Sequence, residues 1–443
     1  MSIQLSEHFT YKKLFRFCLP TIAMMLCTSL YSIVDGYFVS NYVGKTAFAS
    51  VNLIMPVLMI FGCFGFMIGT GGSALVGKTL GEGKRETADR YFTMLVYLTL
   101  ILGVILSVAG VIFMRPIAYM LGATDAMIED CVTYGRIMNG FNTAFMLQYL
   151  FQSFFVTAEK PQLGFLVTVA AGCTNVVLDA LFIAVFQWGA AGAAWASVIG
   201  QCIGGVLPLF YFLRPNSSLL RLRNTGLDIN IWIKSCLNGS SELMTNISTS
   251  LVGILYNFQL MKYAGENGVA AYGVVMYTQF VFAAVFLGYT IGTGPIVSYH
   301  YGAGNHDELK NMLKKSLVLM LGGGTAMLVL ASALAVPLSD FFVGYDQELC
   351  QITRHALSIY AYSFVLYGVN VFASAFFTAL NNGGVSAAIA FLRTLVFQTL
   401  AVLGLPILLG LDGIWWAVTA AEIIALMVSV SFLIVKRKQY HYL

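Results

Sequence analysis

Runs of twenty or more apolar residues recur about twelve times along this chain, and nothing else in it limits the possible folds so sharply. A helix rises about 1.5 Å per residue, so roughly twenty residues cross the hydrocarbon of a bilayer with every backbone group bonded internally. The runs fall near 14–40, 47–77, 91–114, 131–157, 164–187, 190–213, 235–261, 269–299, 313–336, 349–380, 385–408 and 414–435. Only 10% of the residues are charged, too few to solvate the surface of a water-soluble fold of 443 residues. The fold class that follows is an all-α integral membrane protein of twelve transmembrane helices. Its first run is longer than a signal-peptide core and lacks a small-residue cleavage pattern, so it reads as a retained anchor.

Charge placement orients these spans. Lys12, Lys13, Arg16, Lys78, Lys84, Arg85, Lys160, Arg221, Arg223, Lys310, Lys314 and Lys436 flank one face, whereas few bases, such as Lys45, Arg115 and Lys262, flank the other. The positive-inside rule makes the basic face cytoplasmic, with both termini on it. The bases sit in short loops rather than in one patch, so no nucleic-acid partner is expected. Eight cysteines, almost all inside apolar runs and none in a CxxC pair, read as small core side chains.

The sequence also repeats. Adding 221 carries Gly44 to Gly265, Gly81 to Gly302, Gly83 to Gly304, Pro116 to Pro337, Thr157 to Thr378, Gly189 to Gly410 and Trp195 to Trp416, with no gap needed. Such matches of Gly, Pro and Trp imply two parallel six-helix repeats, residues 1–213 and 235–443, joined by a polar cytoplasmic linker over 214–234. A cavity is expected between them.

Ionisable residues inside a span are the natural place to look for function, because an ionised side chain in hydrocarbon costs about 3 kcal/mol or more. Asp35 lies in the first span. Asn175 and Asp179 stand four apart in the fifth, on one helix face. Ser197 lies in the sixth, and helical rise puts it, Asp35 and Asp179 at similar depth, roughly 8–12 Å below the acidic face, so three spans offer oxygen ligands at one level. Their oxygens suit a hard cation such as Na⁺, or a proton shared between neighbouring acids; the residues alone leave both open. The positions 221 further on are Tyr256, Val396, Leu400 and Val418, so the second repeat lacks these acids at the matching places. Glu242 and Arg393 are candidates for a charge pair closing the cavity, although snorkelling toward the cytoplasm is the simpler account. Glu422 and Arg136 have no assigned role, and His300 and His355 at span ends read as solvated. Tyr31, Phe38, Met55, Phe145, Gln148, Tyr256, Met276, Gln279 and Gln398 are candidates for a substrate cavity. The segment GSALVGKT, Gly72 to Thr79, fits a phosphate-loop pattern, but it closes a membrane span and follows no buried strand.

Taken together, the Asp within SIVDGYFVSNYVG, NVVLD in the fifth span, GAAGAAWAS after it and the GEG and GAG turns at 81–83 and 302–304 make the chain resemble the multidrug and toxic compound extrusion (MATE) family, in its bacterial type with the cation site in the N-terminal bundle. That resemblance implies secondary active efflux of amphipathic, often cationic, small molecules in exchange for Na⁺ or H⁺. It implies coupling-ion binding at Asp35, Asn175, Asp179 and Ser197, the last standing where a Thr is usual. Glu242 comes too early in the seventh span to match the acid some relatives carry there. No tightly bound cofactor and no enzymatic activity are expected, and the partners are substrate and lipid, with the protein a monomer. A lipid-linked precursor flippase of the same superfamily is the alternative; it would favour a cationic cavity. A channel would show polar rings in both halves, and an intramembrane enzyme a His, Cys or Ser constellation.

Overall fold

The structure, a computed structural model, describes residues 3–442, and every regular segment among them is helical. The first half contains α1 (Tyr11–Phe38), α2 (Lys45–Gly81), α3 (Arg85–Met120), α4 (Ile128–Gly140), α5 (Asn142–Thr157), α6 (Pro161–Asp179) and α7 (Gly189–Leu213). A short α8 (Ile229–Asn238) follows within the polar connector. The second half contains α9 (Ser240–Gly302), α10 (His306–Val343), α11 (Gln347–Tyr360), α12 (Ser363–Ala379), α13 (Gly383–Phe391), α14 (Gln398–Leu409) and α15 (Leu411–Tyr440). Twelve spans result. α4 and α5 meet at Phe141, α11 and α12 at a 48° bend, and α13 and α14 across a π-helical stretch, Leu392–Phe397. The 63-residue α9 makes two spans, because Gly265 (φ 59°, ψ −149°) breaks it and both its ends pack beside the last turns of α2. GSALVGKT is plain helix inside α2, so it forms no phosphate loop. The Lys45 side chain lies outside the described residues.

Backbone geometry carries the repeat. Gly44 and Gly265, Gly83 and Gly304, and Gly189 and Gly410 all have positive φ, a conformation that side chains with a Cβ rarely adopt. Between these markers the register slips by one. Glu159 and Asn381, the two left-handed residues at the next turn, are 222 apart, as are the helix starts Pro161 and Gly383. The gapless alignment therefore fails locally. Leu400 is 65% exposed and faces outward, whereas Ala401, 8% exposed, occupies the place that Asp179 holds in the first bundle. A one-residue shift on a helix turns a side chain by about 100°, and the original offset returns only at Gly410, 221 beyond Gly189.

The two bundles touch at the basic end. There α2 lies against α9 so closely that a Cβ on Gly81 would strike the Tyr299 carbonyl and one on Gly302 the Lys78 carbonyl. Lys78 Nζ also sits 5.2 Å from the centre of the Tyr301 ring. The same contacts bring the termini together, since Tyr440 packs edge-on against Tyr301 and accepts a hydrogen bond from Asn382 (2.9 Å). Residues before α1 cross this junction. The Leu5 N–H donates to Glu159 (2.6 Å) on one bundle, and the Phe9 N–H donates to Glu308 (2.9 Å) on the other. Burial pushes the Glu308 carboxyl pKa up, but the Phe9 N–H, Asn311 and His8 outweigh it and hold it below the ordinary carboxylate value. His300, expected to be solvated, is instead 2% exposed beneath this strap, while His355 is exposed and pairs with Asp412 (2.8 Å).

Because the Gly302 contact is with backbone, no rotamer change relieves a larger side chain there. Gly302→Leu is expected to force the seal apart at a cost of about 1–3 kcal/mol, which shifts opening roughly tenfold or more. The check is a single cysteine at Ser298, buried here, in a background without native cysteines. Its labelling by an impermeant maleimide from the basic face should accelerate correspondingly, and an unchanged rate would contradict a backbone-tight seal.

Candidate functional site

Near the end of α1, Asp35 precedes a π-helical stretch, Val39–Val43, and Asp179 closes α6 just before another, Ala180–Val185. Widened turns of this kind interrupt the i→i+4 ladder and recur at functional sites. Both acids turn into the first bundle, where Asp35 is 6% exposed, Asn175 3% and Asp179 fully buried. The two carboxyl groups face each other within hydrogen-bonding reach. Asn175 Nδ2 donates to Ser197 Oγ (3.3 Å), which fixes the amide with its oxygen free. The four residues proposed from sequence thus converge.

A fifth group joins them. Tyr134 of α4 is fully buried, and its hydroxyl faces Ser197 and both carboxylates without closing a hydrogen bond. Sequence reading missed it because a Tyr in an apolar span resembles any packing aromatic. The available signal was depth, since Tyr134 lies about as far along its span as Asp35 does from the end of α1.

Asp35 Oδ1, both Asp179 oxygens, Asn175 Oδ1 and the Tyr134 hydroxyl are buried without a protein hydrogen-bond partner. A bilayer interior penalises each unpaired charge and each orphaned polar atom, so this arrangement calls for a positive guest. The donors are all oxygen, which suits a hard monovalent cation or a proton. No cluster of three His, Cys, Asp or Glu side chains exists among the described residues, so a softer transition metal has no matching ligand set. On the side away from the basic face, a depression of about 380 Å³ lined by Thr46, Asp130, Thr133 and Trp188 opens beside Tyr134.

The remaining candidates scatter. Tyr31 lies one turn before Asp35, its ring against Gly172 and its side chain near Gln148. Phe145 packs on Gly62 and Tyr149, Phe38 stacks on Tyr42, and Met55 packs with Phe38 around the outer core of the first bundle. In the second bundle Tyr256 stacks flat on Tyr272, Met276 joins the same core, and Gln279 accepts a hydrogen bond from Tyr360. Gln398 is half-buried where the π-stretch passes into α14. Arg136 is exposed and donates to the Val111 carbonyl (3.2 Å).

The suggested Glu242–Arg393 pair is not what forms. Arg393 Nε lies 3.9 Å from Glu422 Oε1, both side chains buried, and Glu242 instead lines a narrow cavity of about 30 Å³ between the bundles. The second bundle therefore has a buried charge centre of its own, in a different place and of mixed sign.

Comparison with known proteins agrees with this architecture. The family model MatE matches the chain twice, over residues 20–181 and 243–403, one match in each half. The multidrug export protein MepA of Staphylococcus haemolyticus (strain JCSC1435) is 21% identical over 421 residues, covering 94% of this chain and 91% of the relative. MepA of Staphylococcus saprophyticus (strain ATCC 15305) is 22% identical with the same coverage. Among solved structures, a MATE in the straight conformation superposes with a TM-score of 0.93 at 21% identity, covering 99% of this chain and 98% of the other. An outward-facing multidrug resistance MATE transporter gives 0.92 at 21% identity, with 97% and 96% covered.

Proposed function

The chain belongs to the MATE family of membrane transporters, and on that footing we propose that it is a multidrug efflux antiporter of the plasma membrane that exports amphipathic, mostly cationic compounds in exchange for Na⁺ or H⁺. The observation that carries the exchange is the pair of facing, buried carboxylates in the first bundle, ringed by orphaned oxygens and with no basic partner among the described residues. The basic face is cytoplasmic by the positive-inside rule. In this reading the contact of the bundles at that end bars the cytoplasmic side, and an incoming ion meets Asp35 and Asp179 from outside.

Coupling then follows from population shift. A guest cation or proton removes the repulsion between the acids and lets α1 and α6 close on it. A cargo cation in the same electrostatic field binds less tightly once that charge is filled. Ion entry therefore favours cargo release outside, and the loaded bundle rocks back. No covalent chemistry is required.

Purified protein in proteoliposomes tests this directly. An imposed inward Na⁺ gradient, or separately an imposed pH gradient, is expected to drive ethidium movement opposite to the ion, and the effective gradient identifies the ion. Ethidium flux indifferent to both gradients would refute exchange.

A further inference from the structure

Below the acids, α5 presents a second line of buried polar atoms with no protein partner. Gln148, Gln152 and Ser153 are each 3% exposed, yet Gln148 Oε1, both terminal atoms of Gln152 and Ser153 Oγ form no hydrogen bond within the protein. Gln148 and Gln152, four apart, share one helix face, and Ser153 lies about 100° round the helix from Gln152 toward the inter-bundle cavity, the three spanning about 8 Å of rise. At its upper end Gln148 lies near Tyr31, one helical turn from Asp35, and its side chain lies on Gly204 of α7, where a Cβ would leave no room for it. At its lower end Ser153 opens on the inter-bundle cavity, whose other polar residues are Thr70, Ser73, Glu242, Thr290 and Thr378.

Each such atom costs on the order of 1–3 kcal/mol when buried unbonded, and apolar residues of the same shape would avoid that cost, so packing alone gives no reason for an amide at both 148 and 152. Amide and hydroxyl groups that both donate and accept are what a hydrated cation or a hopping proton needs at successive steps, bound well enough to enter and loosely enough to leave. The geometry points to Tyr31, Gln148, Gln152 and Ser153 as the inward release route of the coupling ion, leading from Asp35 and Asp179 to Glu242. This rests on the coupling role proposed above for the two acids.

The route does not short-circuit the membrane. Its lower end stops above the backbone contact of α2 with α9, which in this state separates it from the basic face. Opening that contact connects the route to the cytoplasm. Entry from outside and exit to inside thereby use different sides of the same pair of acids, and Glu242 receives the ion at the bottom. Glu242 thus acquires a role that its early position in the seventh span does not suggest.

The test separates loading from release. In detergent, ion binding at the acids is read as the Na⁺- or acid-induced displacement of bound ethidium; in proteoliposomes, turnover is read as ion-driven ethidium exchange. Gln148→Leu and Gln152→Leu are expected to keep the midpoint of displacement within about twofold and to slow exchange about tenfold or more, with Gln152→Asn recovering most of the rate. Wild-type exchange in both Leu variants would overturn the route. So would loss of displacement together with exchange in well-folded protein, since the amides would then act on the site itself. Displacement that persists in Asp35→Asn would instead remove the coupling role beneath the proposal, so the two failures are distinguishable.

Discussion

Cells producing the Asp35→Asn variant are expected to extrude ethidium no faster than cells without the transporter, at unchanged protein abundance. The asparagine preserves shape and one oxygen but removes the charge that distinguishes a filled site from an empty one. Without that difference the ion has no differential affinity for the two states, and a ligand with equal affinity for both shifts nothing. The same substitution should leave thermal stability unchanged or slightly raised. Among the described residues Asp35 has no basic partner to strand, and a neutral amide is cheaper to bury than a carboxylate facing Asp179. Loss of efflux without loss of stability is thus the signature, measured as dye efflux in cells and as melting of the purified variant. Retained efflux, or a melting temperature that collapses with it, would contradict an electrostatic coupling role.

What the sequence reveals here depends on which physical rule writes the signal. Hydrocarbon thickness imposes long apolar runs, so the spans are visible, and positive-φ glycines such as Gly44 and Gly265 are visible because few other residues tolerate that backbone. Asp35 and Asp179 stand out because charge in a membrane is rare and costly. Tyr134 does not, since an aromatic at that depth is as readily explained by packing. Gln152 escapes notice for a related reason: its significance lies in having no partner, which only packed neighbours reveal. The one-residue slip at the turn holding Glu159 and Asn381 leaves no compositional trace, and so the offset of 221 assigns Leu400 an inward place it does not occupy. Conversely, the Arg393–Glu422 contact joins residues whose separation in sequence carries no periodic cue.

That contact sets the second large effect, opposite in kind to the first. Arg393 is 5% exposed with its guanidinium carbon 5.0 Å from the centre of the Tyr367 ring, and Glu422 is fully buried. Asn370 Nδ2 donates to Glu422 Oε2 (2.7 Å) and to the Glu422 carbonyl (2.9 Å), and Ser429 in turn donates to Asn370 (3.0 Å). The carboxylate is therefore held in place whether or not the arginine is present. Arg393→Leu leaves it charged, buried and uncompensated, which is expected to cost about 3–5 kcal/mol of stability. Adding Glu422→Leu removes the stranded charge, and the double variant should recover about 1–4 kcal/mol, since a buried ion pair is often no better than apolar side chains of similar volume. Thermal melting in detergent of the two single variants and the double completes the cycle. A double variant no more stable than Arg393→Leu would mean that Arg393 acts through packing on Tyr367 rather than through the charge of Glu422. With rescue, the two bundles differ in principle: the second neutralises its acid with a fixed cation, whereas in the exchange proposed above the first leaves its acids to a mobile one.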